Sequence, residues 1–156
     1  MDRYMENQKE REKDNAFMRY THISVDLVEK DHALTSMEIF PEGLNPFGMV
    51  HGGLLDTMLD NAAGSAVHTD GRSYVTQTCT LHFLRNRGEG KLIGEGWVIH
   101  RGRATALVKA ELRDEAGAVL ARAERDARER CNDPTPLDTT VIEHILKLSE
   151  AAHPHA

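Results

Sequence analysis

A chain of 156 residues with 19 Lys and Arg against 25 Asp and Glu, a formal net charge of −6, is long enough for one domain with a real core. The acidic balance argues against a general nucleic-acid binder, and no apolar run approaches the roughly 20 residues needed to cross a bilayer. The two cysteines, Cys79 and Cys131, lack metal-ligand spacing and the nine histidines are scattered, so no metal site is expected. With no apolar signal segment at the start, both thiols are expected to stay reduced in a cytoplasmic setting.

Residues 2–18 are densely charged (Glu6, Lys9, Glu10, Arg11, Glu12, Lys13, Asp14) and read as a solvated helical arm, with Phe17 and Met18 as the first apolar anchors. From His22 the period becomes two. Ile23, Val25 and Leu27 alternate with polar residues, Asp31 and His32 signal a turn, and residues 34–40 alternate again, which predicts a hairpin. Pro41, Gly43 and Pro46 then force a loop.

A helix is predicted from about residue 53 to residue 67. At 100° per residue Leu55, Met58, Leu59, Ala62 and Ala66 share one face, while Asp60 lies near the opposite side with Asp56, Thr57 and Gly64. Its small residues, Ala62, Ala63, Gly64, Ser65 and Ala66, let a sheet wrap closely, so the helix is read as central. Asp56 reads as an ordinary solvated acid. Asp60 can instead face a cleft or a second subunit.

Four strands are expected after it. Val75, Gln77, Cys79, Leu81 and Phe83 alternate with Thr76, Thr78, Thr80 and His82. Residues 85–90 turn, and residues 92–101 form the next strand, with Gly94 and Gly96 as candidate bulge positions. Ala104, Ala106, Val108, Ala110 and Leu112 read as the inward face of a third, closed by a hairpin loop containing Gly117. Residues 118–130 have helix-forming composition, yet Val119, Ala121 and Ala123 at period two after a glycine turn favour a strand. After Pro134 and Pro136, Thr140 and Glu143 suggest a capped, short amphipathic helix. One helix cannot cover both faces of a six-stranded sheet, so self-association is expected.

The chemistry concentrates at Asn45, Gly48, His51, Gly52, Gly53 and Asp60, spaced N-x2-G-x2-H-G-G-x6-D and opening the central helix. Glycines permit close backbone approach to a ligand. A helix start offers N–H groups without internal partners, whose dipoles favour developing negative charge. A carboxylate two turns on can act as base or nucleophile. Together these suit acyl transfer.

This spacing, within two strands, a helix and four strands, resembles the hotdog-fold acyl-CoA thioesterases of the phenylacetate-degradation and 4-hydroxybenzoyl-CoA thioesterase type. Val75-Thr76, Phe83-Leu84-Arg85 and Gly102-Arg103 are later echoes, and the resemblance covers about residues 20–130. It implies an α+β fold with an antiparallel sheet wrapped around one helix. A charged arm (1–20) and a C-terminal linker, helix and tail (132–156) would flank a domain at 21–131. It further implies homodimers, commonly homotetramers, with sites at the dimer interface.

By the same resemblance the Gly52 amide polarises a thioester carbonyl, Asp60 is general base or nucleophile, Asn45 and His51 line the site, and Thr76 positions water. No cofactor is implied beyond the coenzyme A of an acyl-CoA or aryl-CoA substrate, and neither nucleic acid nor membrane is an expected partner. Gly53, Arg85, Arg87, Arg101 and Arg103 are the candidate coenzyme contacts, the arginines at two strand turns that could share one cleft mouth with Lys91. Arg85-Asn86-Arg87 departs from the family pattern, which commonly has proline there. A non-catalytic hotdog module that binds or senses acyl-CoA is the alternative, disfavoured by Asp60. A hydratase is disfavoured by the lack of an acid–histidine pair at suitable spacing.

Overall fold

The computed structural model describes residues 3–130. Two helices, α1 (Arg3–Glu12) and α2 (Ala16–Tyr20), precede the hairpin of β1 (Ser24–Glu29) and β2 (His32–Glu38). The long helix α3 (Gly52–Val67) follows, then β3 (Tyr74–Phe83), β4 (Lys91–Arg101), β5 (Thr105–Asp114) and β6 (Val119–Glu129). All six strands form one antiparallel sheet in the order β1-β2-β4-β5-β6-β3. This is the expected α+β hotdog arrangement, with the ambiguous segment at 118–130 a strand. Pairing along its whole length with β5 and β3 overrides its helical composition. The helix suggested after Pro136 lies outside the described residues. Among those residues, no helix is long and apolar enough to cross a membrane.

The core lies between α3 and one face of the sheet. Leu55, Met58, Leu59, Ala62 and Ala66 are buried, the face read from the helical period. Opposite them pack Met37, Leu92, Ala106, Val108, Ala110 and Leu112. Gly94 and Gly96 do not mark a bulge: β4 bulges further along, between Val98 and His100. The two glycines instead let the helix descend onto the sheet. A Cβ on Gly96 would lie 2.4 Å from the Ala62 carbonyl oxygen, and one on Gly94 2.5 Å from Thr35 Oγ1.

The charged arm is not free of the domain. Tyr4 and Met5 of α1 pack on a small cluster of Val28, Ala33 and Ala66, and Met18 of α2 is buried in the main core. Asn15 caps α2, its Oδ1 accepting from the Met18 amide at 3.2 Å. At the other margin, β3 is an edge strand whose residues are exposed apart from Tyr74 and the half-buried Leu81. It leaves the flank of α3 that carries Asp56 and Asp60 open.

Candidate active site

The loop before α3 is organised by its own residues. Asn45 Oδ1 accepts from the amides of Phe47 (2.9 Å) and Met49 (3.2 Å), and the Asn45 amide donates to Met49 O at 2.7 Å. Gly48 closes the turn onto Asn45 O with a φ of +74°, a left-handed backbone that glycine adopts without penalty. His51 is the N-cap of α3. Its backbone is extended, and its Nδ1 accepts from the Gly53 amide at 3.0 Å. An accepting Nδ1 carries no proton, so the neutral ring has its hydrogen on Nε2.

This cap sorts the two glycines. The Gly53 amide is occupied by His51, whereas that of Gly52 has no acceptor among the described residues. Gly52 is therefore the available donor at the positive end of the helix, beside the Phe83 ring, which a Cβ would meet at 3.3 Å.

Asp60 lies two turns into α3 with its side chain 49% exposed. Thr76 Oγ1 donates to Asp60 Oδ1 at 2.8 Å, so two of the residues singled out from sequence do meet. Strict alternation would have turned Thr76 away, alongside Thr78. A bulge at Gln77 between the Thr76 and Thr78 pairs puts Thr76 opposite inward-facing Ala127, while Thr78 faces outward and bonds Asp126.

Arg125 was not anticipated. It sits on β6 with its side chain only 4% exposed, between Ala123 and Ala127, and its Nη1 lies 3.1 Å from Asp60 Oδ1. Its Nη2 bonds the Asp56 carboxylate and, at 3.1 Å, the Asp56 carbonyl. Asp56 is thus no solvated acid but the second partner of a buried cation. The signal was in the sequence: Arg125 occupies an inward position in the alternation of Ala121, Ala123 and Ala127, where a charge requires a partner. Cys79 lies opposite Arg125 in the ladder. Partial burial pushes its thiol above the ordinary value; Arg125 opposes that shift and the two carboxylates add to it.

The arginines do not converge within one protomer. Arg85 and Arg87 follow β3 near the start of α3, where the Val50 amide bonds Arg87 O and Asn86 Nδ2 bonds Val50 O. Arg101 and Arg103 lie at the other end of β4, whose 11 residues span about 33 Å. Arg101 is tied to Asp31 (2.7 Å), Asp70 (2.9 Å) and Tyr74, and Arg87 to Asp114 (2.7 Å). Within one protomer the two turns do not share a cleft mouth, because the antiparallel strands place them at opposite ends. Arg85 and Arg103 remain exposed.

Two depressions adjoin these groups. A polar groove of about 340 Å³ runs from Asp60, Asn61 and Gly64 to Gln8, Arg11 and Asn15 of the arm. An apolar cavity of about 260 Å³ beside His51 and Gly53 is walled by Phe17, Tyr20, Phe40 and Leu54. Both use arm residues that a motif-based reading leaves outside the site. Among the described residues, no three His, Cys, Asp or Glu side chains are grouped to hold a metal.

Residues 47–121 match the family model described as the thioesterase superfamily. The chain is 27% identical over 113 residues to a putative esterase of Saccharolobus solfataricus, covering 71% of this chain and 81% of that one. It is 29% identical over 93 residues to the acyl-coenzyme A thioesterase PaaI of Escherichia coli, covering 58% of this chain and 66% of that one. The solved structure of the E. coli PaaI protein from the phenylacetic acid degradation operon superposes with a TM-score of 0.79 at 23% identity, over 81% of this chain and 93% of that one. The six-stranded sheet around α3 is the hotdog fold shared with that structure, and from Gly48 to Asp60 the motif lies within the stretch that matches the thioesterase superfamily.

Proposed function

We propose that this chain hydrolyses an acyl-CoA or aryl-CoA thioester to the free acid and coenzyme A, as a cytoplasmic homodimer that pairs further into a homotetramer. The observation that carries the reading is the held carboxylate: Asp60 is half exposed on an open flank, with Oδ1 fixed by Thr76 and Arg125. A similar chain in E. coli is an acyl-coenzyme A thioesterase, which directs the choice of leaving group.

Two subunits follow from helix geometry. Gly52 and Asp60 are eight residues apart on one helix, and at about 1.5 Å of rise per residue that is about 12 Å. A thioester carbonyl cannot touch both within a protomer. The edge strand β3, exposed beside this flank, offers the pairing surface that would bring Gly52 of one protomer towards Asp60 of the partner subunit.

In this scheme the Gly52 N–H holds the carbonyl oxygen as it gains negative charge. Asp60 either takes a proton from the water that attacks the carbonyl carbon, or attacks that carbon itself to give an anhydride that water then opens. In both routes the C–S bond breaks and coenzyme A leaves as the thiolate. Thr76, engaged with Asp60, orients the carboxylate rather than the water. His51 Nε2 and the Asn45 amide group face the carbonyl from the loop. The acyl group occupies the apolar cavity beside His51, and Arg85, exposed near the helix start, serves the coenzyme phosphates.

The test is release of free thiol across a panel of acyl-CoA and aryl-CoA substrates by the wild type and Asp60→Asn. Turnover of the variant is expected to fall by about 10²–10⁴-fold. Equal rates would sink the assignment, and binding without hydrolysis across the panel would favour a sensing module.

A further inference from the structure

We infer that Arg125 and Asp56 act together as positioning residues that leave Asp60 one fixed, uncovered carboxylate oxygen. This rests on Asp60 being the reacting group, as proposed above.

The contacts of Arg125 are unequal. Its Nη2 makes two bonds to Asp56, to the carboxylate and the main-chain carbonyl, whereas its Nη1 reaches only Oδ1 of Asp60, at 3.1 Å. The same Oδ1 accepts the Thr76 hydroxyl at 2.8 Å. One hydroxyl donor and one charged contact therefore sit on Oδ1, and Oδ2 has neither among the described residues. The carboxylate is held by one oxygen and presents the other.

Asp56 is what keeps the arrangement one-sided. A guanidinium tends to engage a carboxylate through two parallel bonds, which on Asp60 would cover Oδ2. Asp56, one turn earlier on α3, takes up that second arm. It also supplies the charge that balances a cation buried to 4% exposure, so Asp60 is not the sole counter-ion. Arg125 in turn separates two carboxylates at i and i+4, which would otherwise repel. Stability alone does not account for the arginine. Its Nε is buried without a partner among the described residues, and a buried ion cluster is often replaceable by apolar side chains at no loss of stability.

The test uses the full chain with a substrate found by the panel above. Asp60→Asn comes first; if it retains wild-type turnover, the catalytic reading fails and this inference with it. Once Asp60→Asn is shown to be impaired, Asp56→Asn, isosteric and on the half-exposed helix flank, is expected to lower kcat by about 10- to 100-fold with KM little changed. Arg125→Met is expected to do the same and Arg125→Lys to recover part of the loss. The double variant Asp56→Asn/Arg125→Met should be no slower than the slower single one, because residues acting as a unit are not additive. Thermal melts of each variant keep folding separate from turnover. If kcat per folded protein stays at the wild-type value in Asp56→Asn and Arg125→Lys while Asp60→Asn is impaired, the positioning role is overturned and the assignment of Asp60 stands.

Discussion

At the start of α3, the side chains of Asn45 and His51 make hydrogen bonds that span at most four residues, between Asn45 Oδ1 and Met49 N and between His51 Nδ1 and Gly53 N, while the main chain is also held by the His51 amide on Gly43 O and by Val50 on Asn86 and Arg87. Two turns further on, Asp56 and Asp60 are held by Thr76 and Arg125, on strands distant in the chain. The side chains of the first half form a local motif that any stable helix start could carry. The second exists only when β3 and β6 are paired and α3 is seated against the sheet. Damage to the sheet should therefore spoil the carboxylate before it spoils the amide.

After Asp60 itself, the largest effect should come from the amide. Proline fits the first position of a helix and lacks an N–H, and the extended backbone of His51 suits a following proline. Gly52→Pro is thus expected to leave the fold melting near the wild-type temperature while kcat falls by about 10²–10³-fold. A variant as active as the wild type would remove Gly52 from the scheme. Next, Gly96→Ala drives a methyl into the Ala62 carbonyl, main chain that cannot step aside. A stability loss of about 1–3 kcal/mol is expected by denaturant titration, with activity per folded protein also reduced because Asp60 lies half a turn away. Unchanged stability would show that α3 is not seated as described.

His51→Ala deletes a cap and should cost about 1 kcal/mol in denaturant midpoint measurements. His51→Asn, which can still accept from the Gly53 amide, separates two roles. Recovery of both stability and kcat would leave His51 as a cap alone; recovery of stability only would give its Nε2 a part in the reaction.

The smallest effect concerns the far end of the helix. His68 donates from Nδ1 to Gly64 O (2.5 Å) and accepts the Tyr74 amide at Nε2 (3.1 Å), which requires a neutral ring. Burial holds it below its ordinary value of 6.5. Below that pH the unfolded chain binds a proton that the folded one resists, so stability falls as the pH drops. The slope cannot exceed about 1.4 kcal/mol per pH unit for one group. His68→Gln should flatten the decline in melting temperature between about pH 7 and pH 5; an unaltered slope would assign it to another group.

What was legible in the sequence follows this division. The order of elements, the buried face of α3 and, to within a residue, the start of that helix could be read because helical period and strand alternation are properties of neighbouring residues. The same periodicity placed Asp60 off the core face. It could not show that Asp56 is paired, since the partner sits on another strand, although Arg125 at an inward position of β6 was a visible anomaly. Alternation misjudged Thr76 because one extra residue, Gln77, inverts the facing of what precedes it. It misjudged Gly94 and Gly96 because the need for them lies in the helix above rather than in their own strand.

By itself, then, the sequence determined the elements and the local half of the candidate site, whose side-chain hydrogen bonds close within a few residues. Tertiary structure alone decided that Arg125 stands between two acids, that Thr76 turns inward, and that the arginines part to opposite ends of β4. The reason is physical: buried charge and strand register are settled only by what lies opposite, and chain neighbours do not specify that.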